Sequence, residues 1–170
     1  MKNIVIITSN SIRHNYFKIL LADNKDINVL KTYVESNSEL NYGLKKPTLS
    51  DLDNDFSLHF DARNNSEHDF FSDIVELLED NSNSILISKD DINKENFVNE
   101  IVNLKPDLII TFGCSIITSN LLTYFNRQII NVHLGLSPYY FGSGTNFHCL
   151  VNNELQFEGY TFMYMDDGID

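Results

Sequence analysis

The chain has 170 residues, 42% of them hydrophobic and 21% charged, which fits one globular domain with room for a long surface segment. Its 24 acidic and 12 basic residues give a net charge of −12, which opposes binding to nucleic acid. No apolar run approaches the ~20 residues of a membrane span or makes a signal peptide, so we expect a cytoplasmic protein without membrane contact. The two cysteines lack C-x-x-C spacing and predict no metal site and no disulfide framework.

The chain opens with a strand, a turn and a helix. A β-branched apolar run at 2–8 predicts a buried strand, and the turn-prone Ser9-Asn10-Ser11 ends it. An apolar period over 16–21 then predicts a helix, and residues 29–34 predict a second strand.

Acidic charge is concentrated in the region that follows. Residues 35–80 include 12 acidic and 3 basic residues, a net charge of −9. Within this region, residues 36–66 show no sustained hydrophobic period and contain Pro47 together with many Asp and Asn residues. We therefore expect 36–66 to be a largely irregular acidic insertion in a domain that spans 1–170.

Helix and strand patterns alternate over the rest of the chain. The hydrophobic periods predict helices at 69–79, 94–104 and 116–125, short buried strands at 85–88, 107–112 and 129–133, and a final edge or antiparallel strand within 156–165. Short strands that are buried on both faces and separated by helices are typical of a parallel sheet. The predicted fold class is therefore α/β, a doubly wound and mostly parallel sheet with helices on both faces.

Ligands of such folds bind beyond the carboxyl ends of the strands, where polar residues are candidates for function. Asn131 and His133 alternate along the end of one predicted strand, so their side chains project to the same side. Each can donate an N–H to one carbonyl oxygen and stabilise the charge that develops there during acyl transfer. Alone, the N-x-H pattern is equally compatible with two residues that hydrogen-bond the backbone at a strand end.

Three further motifs favour the catalytic interpretation. They are Leu134-Gly135-Leu136-Ser137-Pro138-Tyr139-Tyr140-Phe141-Gly142, Glu158-Gly159-Tyr160-Thr161 and Asp166-Asp167-Gly168-Ile169-Asp170. With them the sequence resembles the formyltransferase amino-terminal domain family, which uses 10-formyltetrahydrofolate. That family includes glycinamide ribonucleotide transformylase, methionyl-tRNA formyltransferase and sugar N-formyltransferases, and its Rossmann-like fold is the doubly wound sheet predicted above.

The resemblance implies a catalytic trio of Asn131, His133 and Asp170. Asn131 and His133 would hold the developing oxyanion, while Asp170 would favour protonated His133 or take the amine proton through water. The opposite assignment, in which neutral His133 is the base, stays open.

The resemblance also places the formyl donor between two loops. Residues near the donor would be Cys114, Ser115, Ile116, Ile117 and Thr118 in one loop, and Met165, Asp166, Asp167, Gly168 and Ile169 in the other. A plain structural role for both loops stays open, because apolar strand ends and glycine turns occur in any α/β domain.

Substrate contacts are expected from the first strand end and from the loop after His133. Arg13 and His14 are placed to bind a substrate phosphate, although a surface arginine and a capping histidine would look the same in sequence. Gly142 is the substrate-loop residue that the motif implies.

Departures from the family pattern narrow the expected acceptor. The turn at 8–14 contains no glycine, which disfavours glycinamide ribonucleotide, and the net charge disfavours methionyl-tRNA. The acceptor that remains is a small-molecule amine, and we expect an amino sugar linked to a nucleotide. Hydrolysis of formyltetrahydrofolate and a non-catalytic folate- or nucleotide-binding module are the alternatives.

Two other departures concern the loop and the chain end. Gly135, Ser137 and Phe141 replace a Ser, a Leu and an Arg that the family commonly has in the loop, so substrate contacts there are expected to differ. The chain also stops at Asp170, before the strand and helix that normally follow, which implies a domain that is incomplete after 170. Neither observation distinguishes a monomer from a homo-oligomer.

Overall fold

A six-stranded sheet forms the centre of the molecule in the computed structural model, which describes residues 1–36, 50–142 and 144–166. The strands are β1 (Lys2–Ser9), β2 (Ile27–Glu35), β3 (Ser84–Ile87), β4 (Leu108–Phe112), β5 (Ile129–Leu134) and β6 (Tyr160–Tyr164). They lie in the order β3-β2-β1-β4-β5-β6, the first five parallel and β6 antiparallel to β5. This arrangement confirms the predicted doubly wound, mostly parallel α/β fold.

Helices cover both faces of the sheet because β1 alternates its apolar side chains between two cores. The helices are α1 (Ile12–Asp23), α2 (Ser50–Leu77), α3 (Glu95–Leu104), α4 (Ser119–Tyr124) and α5 (Thr145–Val151). Val5 and Ile7 pack with Ile101 of α3 and Leu121 of α4, whereas Ile4 and Ile6 pack with residues of α1. Full burial of one such side chain contributes roughly 1.5–3 kcal/mol, so both clusters stabilise the packing of the helices on the sheet.

The expectation that residues 36–66 are irregular is wrong from residue 50 onward. Residues 50–66 belong to α2, while 37–49 lie outside the described residues. The helix packs on α1, where the rings of Tyr16 and Phe71 lie 4.9 Å apart and Arg13 pairs with Glu67. These tertiary contacts outweigh the weak helix propensity of the Asp, Asn and Ser residues.

A sequence signal for this longer helix was present. Pro47 precedes the helix, and neither glycine nor proline occurs between it and Pro106. Asp51, Asp53 and Asp55 also follow Pro47 in the sequence, and acidic residues are enriched at the starts of helices.

The register of β5 and β6 separates an apolar face from a polar one. Ile130, Val132 and Leu134 pair with Tyr164, Phe162 and Tyr160. Asn131 and His133 pair with Met163 and Thr161 and therefore project from the opposite face. The polar pair is thus set at the end of β5 by the strand's own alternation.

No helix in the described ranges of the chain is long and apolar enough to cross a membrane.

Candidate active site

The candidate site lies at the carboxyl ends of β1, β4 and β5. The chain leaves β1 towards β2 and leaves β4 towards β5, in opposite directions along the sheet. A crevice opens where neighbouring strands diverge in this way, and ligands of doubly wound folds bind there. The loops after these three strands therefore carry the residues of interest.

Asn131 is held by a hydrogen bond from the neighbouring strand. The Thr111 hydroxyl donates to Asn131 Oδ1 over 3.0 Å, and Thr111 is fully buried. Because the amide oxygen is engaged, the Asn131 NH₂ group is directed away from Thr111. Thr111 Oγ1 also lies 3.6 Å from Met165 Sδ, so the segment after β6 closes on the same strand end.

His133 lies two residues further along β5 and is partly buried. The turn that follows it is braced by Thr161, the residue opposite His133 on β6. Its hydroxyl donates to Gly135 O over 2.7 Å and accepts from Ser137 N over 3.0 Å. The end of β5 is thus fixed by side-chain contacts as well as by the strand ladder.

Gly135 makes room for His133. It has φ +144°, and a Cβ built on it would lie 2.5 Å from Thr145 Oγ1 and 3.0 Å from His133 Nε2. Thr145, the first residue of α5, is buried. A side chain at position 135 would therefore force Thr145 or the turn to shift, and the positive φ also favours glycine there.

Asn131 and His133 together can act on a single carbonyl oxygen. Their side chains project from the same face of β5, and each carries an N–H donor. Donors that are fixed before the reaction stabilise an oxyanion at little reorganisation cost. Asp170, the third predicted member of the trio, lies outside the described residues, as do Asp167, Gly168 and Ile169.

The first turn of α1, which follows β1, gives Arg13 and His14 different environments. Arg13 forms an ion pair with Glu67 of α2, a carboxylate that also pairs with Arg63. His14 is buried, and its Nδ1 lies 2.6 Å from Ser11 Oγ. Burial, followed by the charges of Arg13 and Arg63, lowers the pKa of His14 to about 3. At neutral pH His14 is therefore uncharged, and only Arg13 of this pair offers a positive charge to an anion.

The loop at 113–118 begins at Gly113, which packs on His14. A Cβ on Gly113 would lie 2.5 Å from His14 Nε2, and its φ of +65° also favours glycine. Burial and the charge of Glu35 raise the pKa of Cys114 to about 12, so this thiol stays protonated. Further along, Ile117 is buried whereas Ile116 is 67% exposed.

Two residues that hold this loop were missed by the sequence interpretation. Glu35, the last residue of β2, is 4% exposed and accepts a hydrogen bond from Ser115 N. Asn93 lies just before α3 and bonds both Ile116 O and Thr118 N. The available signal for Glu35 was a carboxylate at the carboxyl end of a buried strand, a position where ligand sites occur.

The loop that carries Gly142 is anchored through its aromatic residues. Tyr139 stacks on Phe157 with a ring separation of 4.4 Å, and the Tyr140 hydroxyl donates to Glu154. Gly142 is exposed with φ +86°, and no atom lies within 4 Å of a Cβ built there. It therefore presents its backbone to solvent. Of the second predicted donor loop, Met165 is partly buried and Asp166 is exposed.

Comparison with known proteins decides the family. The sequence profile of the family described as formyl transferase matches residues 2–170. The chain belongs to the formyl transferase family. The resemblance inferred from the N-x-H, Gly-x-Thr and terminal Asp motifs is thereby confirmed.

Curated relatives of this formyl transferase chain match part of its length. Methionyl-tRNA formyltransferase of Alkaliphilus oremlandii is 42% identical over 76 residues, which make up 44% of this chain and 24% of that protein. The match thus spans about a quarter of the relative's length.

Solved structures of the same fold cover the whole chain. Phosphoribosylglycinamide formyltransferase from Anaplasma phagocytophilum superposes with a TM-score of 0.63 at 14% identity, covering 99% of this chain and 67% of that one. A sugar N-formyltransferase from Shewanella sp. FDAARGOS_354 superposes with a TM-score of 0.56 at 19% identity, covering 100% and 53%. At these identities the superpositions establish a shared fold.

Proposed function

We propose that this formyl transferase domain moves a formyl group from 10-formyltetrahydrofolate to a primary amine of a small molecule, in the cytoplasm. The observation that carries the proposal is the pair of donors at the end of β5. Thr111 fixes the Asn131 amide so that its NH₂ group is available, and His133 projects from the same face. Two aligned N–H donors suit the oxygen of a formyl carbonyl.

The loops on either side suit the donor's ring system. Ile116 is exposed, and Met165 contacts Thr111 beside Asn131. These two side chains can offer an apolar surface to a flat heterocycle. When bound there, the folate supplies the formyl group.

The chain's own residues supply orientation and proton transfer. Asn131 and His133 hold the formyl oxygen while the amine nitrogen attacks the formyl carbon. Asp170 pairs with His133 or accepts the amine proton through water, as the family resemblance implies. A new C–N bond forms, the bond between the formyl carbon and the carrier nitrogen breaks, and the proton lost by the amine is balanced by the proton that the carrier nitrogen gains.

The charge distribution supports a small acceptor. The net charge of −12 repels a polyanion, and Arg13 beside the site is already shared with Glu67. An amino sugar linked to a nucleotide carries few phosphates and an amine of the required kind. We therefore propose it as the acceptor class.

Methionyl-tRNA is the second candidate, and one observation favours it. The curated relatives matched at 40% identity or more are named methionyl-tRNA formyltransferases. The acceptors are separated by incubating the full chain with 10-formyltetrahydrofolate and nucleotide-linked amino sugars, methionyl-tRNA or water alone. A higher kcat/KM with methionyl-tRNA would refute the small-molecule assignment, and release of formate without an amine would indicate a hydrolase.

Substituting His133 tests the chemistry. His133→Ala removes a donor that acts in the transition state, so turnover should fall by roughly 100-fold or more while donor affinity changes little. His148→Ala is the matched control, because His148 is exposed on α5. Wild-type turnover in His133→Ala would contradict the mechanism and favour a non-catalytic binding module.

A further inference from the structure

The loop between β4 and α4 is held from outside by one asparagine side chain. Residues 114–118 have neither helical nor strand conformation. Asn93 Nδ2 donates to Ile116 O over 2.9 Å, and Asn93 Oδ1 accepts from Thr118 N over 2.9 Å. Both ends of a single amide group are thus used to fix the second half of the loop.

A buried carboxylate fixes the first half. Glu35 Oε2 accepts from Ser115 N over 2.6 Å, and Glu35 Oε1 accepts from Asp90 N over 3.1 Å. Asp90 N also lies 3.2 Å from Ser115 Oγ. Glu35 therefore joins the loop after β3 to the loop after β4.

A buried glutamate such as Glu35 is unusual for a residue whose role is only to link two loops. Burying a carboxylate is costly unless it is paired, yet the ion pairs found among the described residues do not include Glu35. Its compensation comes from backbone N–H groups, which form short, charge-assisted bonds to a carboxylate. The carboxylate thus sets the position of the backbone at Ser115 more firmly than a neutral acceptor would.

We propose that Glu35 and Asn93 are positioning residues that hold loop 114–118 in the shape that receives the formyl donor. The inference rests on the proposed function, because it assigns a role to the loop that borders the donor. Neither residue lies on the loop, and neither touches Asn131 or His133 through any hydrogen bond in the described parts of the chain. They act by ordering the loop before the donor binds.

When a binding loop is ordered before its ligand arrives, the effect is seen in the affinity for the ligand more than in the rate of the chemical step. A loosened loop must be ordered at the moment of binding, and the cost lowers the affinity for the ligand. Asn131 and His133 keep their own supports, Thr111 and Thr161, so turnover of the bound complex should change little. A split between KM and kcat is therefore the expected signature.

The first experiment measures that split in the full chain. Asn93→Ala and Glu35→Ala should each raise the KM for 10-formyltetrahydrofolate about 10-fold or more while kcat stays within about 3-fold of wild type. Glu35→Gln keeps an acceptor oxygen for Ser115 N and should give a smaller increase than Glu35→Ala. Asn96→Ala on α3 and Glu76→Gln on α2 are matched controls at exposed positions and should leave KM unchanged.

The second experiment does not depend on folate. Cys114 lies in the loop, and its alkylation by iodoacetamide reports how often the loop opens. Cys149→Ser provides a background in which Cys114 is the sole thiol, and Ser can replace the bond from Cys149 Sγ to Asn146 O. Asn93→Ala changes no charge, so an increase of about 10-fold or more in alkylation rate at fixed pH would report loop opening alone.

Together the two experiments distinguish a failure of the proposed function from a failure of the positioning role of Glu35 and Asn93. If wild type neither binds nor uses 10-formyltetrahydrofolate, the proposed function fails, and the donor role of Glu35 and Asn93 falls with it even when alkylation shows that they hold the loop. If wild type is active, faster alkylation with unchanged KM overturns the positioning role. Unchanged alkylation in Asn93→Ala, together with unchanged KM in Asn93→Ala and Glu35→Gln, overturns it as well, and these two variants remain informative should Glu35→Ala fail to fold.

Discussion

Replacing Gly135 by alanine tests the packing that defines the position of His133. The added Cβ would lie 2.5 Å from Thr145 Oγ1, 2.6 Å from Thr145 Cβ and 3.0 Å from His133 Nε2. Thr145 is buried at the start of α5, so relief requires movement of either the helix or the β5 turn. The backbone at Gly135 also has φ +144°, which alanine rarely adopts.

The expected cost has a steric and a backbone part. Overpacking of a well-packed site costs about 1–3 kcal/mol, and an unfavourable φ costs about 1–3 kcal/mol more. For a chain of this size, a total of about 2–6 kcal/mol corresponds to a decrease in Tm of roughly 4–24 °C. Gly142→Ala is the matched control, because Gly142 also has positive φ but no atom within 4 Å of the new Cβ. Only the backbone part applies there, and Tm should decrease by roughly 2–12 °C.

Thermal and urea unfolding of both variants measure the difference. Thr145→Gly removes the two nearest atoms, so Gly135→Ala should cost markedly less in that background, as a double-mutant cycle reveals. In an assay of formyl transfer, Gly135→Ala should also reduce turnover about 10- to 100-fold, because it displaces His133. Equal decreases in Tm for Gly135→Ala and Gly142→Ala, with no coupling to Thr145, would refute the proposed close contact.

Two further predictions concern His14 and Thr111. The pKa of His14 is about 3 in the folded chain, against 6.5 for a solvated histidine, so below pH 6.5 the unfolded state binds a proton that the folded state does not. As the pH falls from 6.5 to 3, the free energy of unfolding should therefore decrease by up to ~1.4 kcal/mol per pH unit. Urea titrations of His14→Phe should lack the part of the pH dependence that His14 contributes. Thr111→Val removes the bond that orients the Asn131 amide and should lower turnover about 10-fold, whereas Thr32→Val loses a comparable buried bond to Ser82 O and should leave turnover unchanged. Equal turnover in the two threonine variants would argue against a role for Thr111.

The strands could be predicted from sequence because their signal is local. Each apolar run is bounded by turn residues, and the alternation along β5 places Asn131 and His133 on one face whatever surrounds them. The motifs after His133 also allowed the family to be predicted, and the family profile matches residues 2–170.

The start of α2 could not be read from hydrophobic period. The segment is rich in Asp, Asn and Ser, and α2 is held by contacts with α1 such as that between Tyr16 and Phe71. Those partners lie more than fifty residues apart, so no local pattern records their contact.

The residue types that can perform acyl transfer, and the strand ends that carry them, were determined by the sequence itself, because side-chain alternation and turn chemistry act within a few residues. Tertiary structure alone decided which side chains hold the site. Glu35 meets Ser115 from eighty residues away, and His14 loses its charge because Gly113 and Phe112 pack around it. Burial and hydrogen bonding of this kind depend on atoms brought together by the completed fold, and these contacts set the electrostatics and rigidity of the site.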